Sequence, residues 1–170
     1  MSKEELKPLT FFIAGVIQGS SRDRGLRDQS YRQQLTDLLE KAFPGAQVIS
    51  PYDLHPNSID YNLEEGKSTF LEMVARAVEC DVVIAYLPEA SLGTAIEIWE
   101  SHRAGVPIWT ISPMRENWVI RFFSQRIFSS ITDFERFLFT EAQEEVEHAA
   151  RSGGQRLEEL SGRPGGEHCS

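Results

Sequence analysis

Four short apolar runs, Phe11 to Ile17, Gln47 to Ser50, Asp81 to Leu87 and Val106 to Ser112, alternate along the chain with longer segments of helical period. The helical segments run roughly from Gln29 to Phe43, Glu64 to Cys80 and Gly93 to Ala104. Strand-length runs separated by helix-length segments predict a parallel sheet with helices on both faces. Phe11-Phe-Ile-Ala-Gly-Val-Ile17 is apolar throughout rather than alternating, as expected of a central strand buried on both sides. Further along, Trp118 to Phe123 reads as a short helix, Arg126 to Ile131 as a fifth strand and Asp133 to Ala150 as a long charged helix. The expected fold class is α/β, a doubly wound parallel sheet of about five strands.

A chain of 170 residues with 41% hydrophobic and 10% aromatic residues supports one domain with a real core. That domain is expected over residues 1–150. The segment 151–170, rich in Gly and polar residues, is expected to be a disordered tail. The net charge of -9 argues against polymeric nucleic acid as a partner, because binding its backbone needs clustered Lys and Arg. A small anion held by a few local donors stays compatible with that charge.

No apolar run reaches the ~18 residues of a membrane span, and MSKEELKPL lacks the apolar centre of a signal peptide, so a cytoplasmic protein is expected. Cys80 and Cys169 have neither metal nor redox spacing. No His/Cys/Asp cluster has ligand spacing, so no metal and no organic cofactor is implied.

In a doubly wound sheet, ligands gather beyond the carboxyl ends of the strands. The loops there are Gly15-Val-Ile-Gln-Gly-Ser-Ser-Arg22, Pro51-Tyr-Asp-Leu-His-Pro56, Pro88-Glu-Ala-Ser-Leu-Gly-Thr94 and Pro113-Met-Arg-Glu-Asn-Trp118. The residue of most interest is Glu97, one turn into the third helical segment. With Ala95, Ile98 and Trp99 taken as the apolar side, Glu97 falls near the opposite, solvated side with Gly93 and Glu100. Two physical points weigh against that bland reading. Helix side chains lean toward the N-terminus, so Glu97 lies over Gly93, where there is room for a ligand. Free N–H groups at the helix start, with the hydroxyls of Ser91 and Thr94, make an anion site beside it.

FIAGVIQGS at the first strand and DVVIAYLPEASLGTAIE at the third together resemble the nucleoside 2-deoxyribosyltransferase superfamily, especially its branch of 2'-deoxynucleoside 5'-monophosphate N-glycosidases. The resemblance covers roughly residues 10–138, and its specific part is Ser-Leu-Gly-x-x-x-Glu after an Asp-Val-Val strand. It implies a flavodoxin-like fold and a homodimer. It also implies cleavage or transfer of the N-glycosidic bond of a nucleoside or nucleoside 5'-monophosphate, with Glu97 as nucleophile and a covalent glycosyl-enzyme ester. By the same resemblance Ser91 and Gly93 hold a 5'-phosphate. Gly15, Ile17, Gln18, Gly19, Ser20 and Arg22 form the first-strand part of the site, and Asn117 reaches the site of a neighbouring subunit.

Three positions depart from the family's pattern. The carboxylate that assists the leaving base falls at Met73, a tyrosine before the first-loop glycine falls at Phe12, and a phosphate-binding arginine falls at Gln18. Glu72, adjacent to Met73, and His55, at the end of the second strand, are the candidate replacements for the acid. Ser20, Ser21 and Arg22 are the candidate replacements for the arginine. The second-strand loop also reads as a Pro-flanked turn capped by Asp53. A catalytically silent nucleotide-binding module of the same fold is the alternative that Met73 and Phe12 favour. A flavin-binding flavodoxin is disfavoured, because the first strand is not followed by the usual Ser/Thr/Gly phosphate loop.

Overall fold

The computed structural model describes residues 7–18 and 25–147. Strands β1 (Thr10–Gly15), β2 (Gln47–Ile49), β3 (Val82–Tyr86), β4 (Ile108–Ile111) and β5 (Arg126–Phe128) form one sheet in the order β2-β1-β3-β4-β5. Every pairing is parallel. This is the five-stranded doubly wound order, in which the strand sequence reverses direction between β1 and β3.

Alternate residues of each strand supply two cores, as the pleat requires. Phe11, Ile13, Val82, Ile84, Trp109 and Ile111 face helices α1 (Ser30–Ala42) and α6 (Ile131–Thr140), meeting Leu35, Leu39, Phe134 and Phe137. Phe12, Ala14, Val83, Ala85 and Ile108 face the other layer, with α3 (Leu63–Glu79), α4 (Leu92–Ala104) and α5 (Trp118–Phe123). Met73, Ala77, Ile98 and Ile120 carry the contact from those helices.

The helix boundaries have local causes. Asn62 and Glu65 form a reciprocal capping box at the start of α3, Ser91 caps α4, and Gly105 ends α4 in the left-handed conformation at φ 78°. The second-strand loop is more than a turn. Pro51 opens a single helical turn, α2 (Pro51–Leu54), and a 3-10 turn follows at Ser58–Asp60. Pro is suited to that first position, where its missing N–H would have had no acceptor.

The long helix expected from Asp133 to Ala150 is interrupted. α6 ends at Thr140, and residues 142–147 resume helical geometry after Glu141. The inward stripe of Phe134, Phe137 and Leu138 would continue to Glu141 and Glu145; the break turns Ala142 and Val146 inward instead. Glu141 and Glu145 are left to pair with Arg126 at the sheet edge. Residues 148–170, including Cys169 and the expected tail, lie outside the described residues. Among the described residues no helix is long and apolar enough to cross a membrane.

Candidate active site

A cavity of about 500 Å³ opens at the carboxyl ends of β1 and β3, where the strand order reverses. Gly15, Ile17 and Gln18 form the part that continues β1, and Pro51, His55, Ser58 and Ile59 form the wall beyond β2. Gly66, Thr69, Phe70 and Met73 enter from α3, and Ser91, Leu92, Gly93, Thr94 and Glu97 from the start of α4.

Glu97 is on the buried face of α4. Thr94, Glu97, Ile98 and Ser101 make the inward stripe, whereas Ile96 and Trp99 are exposed. The apolar side inferred from Ala95, Ile98 and Trp99 is therefore displaced around the helix, and the solvated placement of Glu97 is incorrect. The true inward stripe is mostly polar, so hydrophobicity alone could not locate it. Glu97 is only 7% exposed. Burial pushes its carboxyl up to about 8, against a downward pull from the guanidinium of Arg32, and among the described residues no hydrogen bond helps to hold the charge.

At the head of α4, the Ser91 hydroxyl accepts from the Thr94 N–H at 3.4 Å and from the Thr94 hydroxyl at 3.1 Å. A Cβ on Gly93 would meet the Phe70 ring at 3.6 Å, an ordinary contact. Packing does not require this glycine. The helix start offers first-turn N–H groups and a hydroxyl beside the Glu97 carboxyl.

Arg32, absent from the sequence-based candidates, connects this site to the sheet. β2 pairs with β1 only through Phe12, so β1 runs on from Ile13 to Gly15 with no strand on that side. Arg32 Nη1 donates to Ile13 O at 2.9 Å and Nη2 to Gly15 O at 3.2 Å. Nη1 also reaches Ser50 Oγ at 3.4 Å, and Nε donates to Gln29 Oε1 at 2.7 Å. The guanidinium thus satisfies carbonyls that a longer β2 would have paired. It is 1% exposed, and burial lowers its proton affinity while Tyr31, Glu97 and Asp53 raise it. The signal was present in the sequence: Arg32 is three and seven residues before Leu35 and Leu39, on the inward stripe of α1.

The remaining candidates fall into distinct places. His55 lines the cavity, and its Nδ1 is 3.1 Å from the Tyr61 hydroxyl. Glu72 does not line the cavity. It is half-exposed and receives hydrogen bonds from Arg76 at 3.0 and 2.8 Å, because one residue is about 100° of rotation and Met73 is the one turned inward. Asn117 is exposed and caps α5, accepting from the Val119 N–H at 3.0 Å. Phe12 is wholly buried in the sheet. Gly19, Ser20, Ser21 and Arg22 lie outside the described residues. Among the described residues, no three His, Cys, Asp or Glu side chains gather as a metal site would need. Burial pushes the Cys80 thiol up to about 11, which marks it as a packing residue.

The fold is shared with solved structures. A 2-deoxyribosyltransferase from the psychrotolerant bacterium Bacillus psychrosaccharolyticus superposes with a TM-score of 0.56 at 18% identity, over 74% of this chain and 90% of that one. A conserved protein from Enterococcus faecalis V583 superposes with a TM-score of 0.55 at 15% identity, over 78% of this chain and 98% of that one. No family model and no curated protein matches the sequence. The likeness establishes an α/β flavodoxin-like fold of the kind a 2-deoxyribosyltransferase also uses.

Proposed function

We propose that this protein cleaves or transfers the N-glycosidic bond of a (deoxy)nucleoside or nucleoside 5'-monophosphate through a covalent glycosyl-Glu97 intermediate. The observation that carries the proposal is the Glu97 carboxyl itself: buried, without a hydrogen bond from any described residue, and lining a nucleoside-sized cavity beside a helix start. A carboxylate desolvated by burial is a strong nucleophile once ionised, and bond formation to C1' relieves the cost of its buried charge. In this reading Ser91 and the first-turn N–H groups of α4 receive a 5'-phosphate, and Gly15, Ile17 and Gln18, which line the same cavity, receive the sugar. The flavodoxin-like fold shared with a 2-deoxyribosyltransferase supports the same reading.

The test is base release from a panel of nucleosides and their monophosphates. It is paired with mass spectrometry after exposure to a 2'-fluorinated analogue, which should leave its adduct on the peptide containing Glu97. An adduct on another peptide would reassign the nucleophile. The competing reading, a silent nucleotide-binding module, draws on Met73, which puts an apolar side chain in the cavity wall. Nucleotide binding without base release from any member of the panel would establish it.

The protein acts as a homodimer in this proposal. Leu92, Ile96 and Trp99 form an exposed stripe along α4, and Trp118 and Phe122 extend the apolar surface on α5. The stripe adjoins the cavity through Leu92, so a second copy covering it would bring its own groups, Asn117 among them, toward the site. Light scattering on the purified protein should give twice the chain mass, and Trp99→Asp should reduce it to one.

A further inference from the structure

His55 lines the cavity and pairs with Tyr61. His55 ends α2, its N–H donating to Pro51 O at 2.9 Å and its carbonyl accepting from the Ser58 N–H at 3.0 Å. Tyr61 follows the 3-10 turn, with its N–H donating to Ser58 O at 3.2 Å, and immediately precedes the Asn62 cap of α3. Both backbones are therefore pinned. The rings meet edge to face, with centroids 6.0 Å apart at 84°, and the Tyr61 hydroxyl takes up Nδ1 of His55 at 3.1 Å. Among the described residues Nε2 has no hydrogen-bond partner, so it is the ring nitrogen open to a ligand.

The chemistry of the cavity makes that nitrogen matter. Among the described residues, Glu97 is the sole carboxyl lining the cavity, and the α3 residues on its wall, Gly66, Thr69, Phe70 and Met73, include no acid. A carboxylate that is forming a bond to carbon cannot also protonate the leaving base. His55 is the remaining described side chain on the wall of a type that serves as a general acid or base.

We propose that Tyr61 is a positioning residue: its oxygen accepts the Nδ1 proton of His55, so that Nε2 gives a proton to the departing base and later takes one from water. This rests on the glycosidic reading of the site. In the first step a Glu97 carboxylate oxygen bonds to C1' as the C1'–N bond breaks. The bonding pair leaves with the base, and the Nε2 proton of the imidazolium passes to a base ring nitrogen. His55 is then neutral, with its remaining proton on Nδ1 donated to Tyr61. In the second step water attacks C1', its proton passes to Nε2, and the ester C1'–O bond breaks to restore the Glu97 carboxylate. One water is consumed, the sugar gains a hydroxyl and the base gains a hydrogen.

Two measurements test the pair. Nitrogen NMR of the histidine side chains should show neutral His55 protonated on Nδ1 in the wild-type protein and shifted toward Nε2 protonation in Tyr61→Phe. A wild-type His55 protonated on Nε2 would overturn the assignment, whatever the protein's activity. The second compares leaving groups in the same variant. Tyr61→Phe should lower kcat about 10- to 100-fold on an ordinary purine deoxynucleoside or its 5'-monophosphate, a part of what general acid help supplies. On the 7-methylpurine analogue, whose base departs without needing a proton, the rate should stay within about threefold of wild type. Equal losses on both substrates would reduce Tyr61 to a structural residue. Failure of the wild-type protein to release base from either would remove the glycosidic reading and the acid role together, while the tautomer measurement would still decide whether Tyr61 positions His55.

Discussion

The hydroxyl of Tyr31 occupies the space where a side chain at Gly15 would begin: a Cβ there would lie 2.3 Å from it. Tyr31 has little freedom to retreat, being buried, stacked on Tyr86 at 4.2 Å and directed at Val16 O at 3.3 Å. Gly15→Ala should therefore destabilise the fold by about 1–3 kcal/mol, the usual cost of overpacking. Tyr31→Phe in the same chain should recover part of that loss, since the closest atom is the hydroxyl itself. Chemical denaturation of the two single variants and the double variant gives the coupling directly.

Glu97→Gln should abolish base release while leaving nucleotide affinity within about tenfold of wild type, since the amide keeps the shape and loses the nucleophile. Retained turnover would exclude Glu97 from the chemistry.

The same carboxyl makes stability depend on pH. Its folded-state value, about 8, lies above the ordinary 4.5, so between those values the folded protein holds a proton that the unfolded chain releases. Stability from this group is full below the ordinary value and is lost as pH rises through about 8. Wild type should therefore lose more of its melting temperature between pH 6 and pH 9 than Glu97→Gln does. Identical pH profiles for the two proteins would mean that Glu97 is better solvated than its burial indicates.

Arg32→Met should cost several kcal/mol, at about 1–3 for each carbonyl left without a donor at Ile13 and Gly15. It also removes the positive charge that lowers the Glu97 proton affinity, so the ascending limb of the pH–rate profile should move to higher pH. Arg32→Lys keeps the charge but loses the fork, and should recover the pH limb better than the stability. Movement of stability alone would restrict Arg32 to holding the sheet edge.

In a His55→Gln background, Met73→Asp should raise turnover on substrates whose base leaves poorly, because general acid help is typically worth about 10²–10⁴-fold. The variant should also lose stability, as Met73 is 3% exposed against the β1 and β3 layer. Glu72→Gln should leave turnover unchanged, since Glu72 is turned away and held by Arg76. Loss of activity in Glu72→Gln would reverse the assignment of these two neighbours.

The sheet and its order of elements were legible because each strand is a compact apolar run and each main helix has a clear period. What escaped was local. α2 and the 3-10 turn are too short to show a period, and the break after Thr140 depends on which residues would meet the sheet. At the site, the Ser-Leu-Gly-x-x-x-Glu spacing pointed to the start of α4, but the orientation of Glu97 could not be read from hydrophobicity because its neighbours on the buried stripe are Thr94 and Ser101. Arg32 is hard to read from the sequence for a related reason: a charged residue on an inward stripe looks like an interruption unless the carbonyls of Ile13 and Gly15 lie opposite it.

The early end of β2 divides the cavity into two sides with different freedom to change. The α4 side is bound into the core by Ile98 and by the strands beneath it, so an altered residue there disturbs the domain. The opposite side, from Pro51 to Tyr61, hangs beyond the last β1–β2 pairing and can be lengthened or rewritten without shifting the register of any strand. On the proposed function, adaptation to a new base would accumulate in that short connection around His55 and Tyr61, while the Glu97 carboxyl stayed where it is.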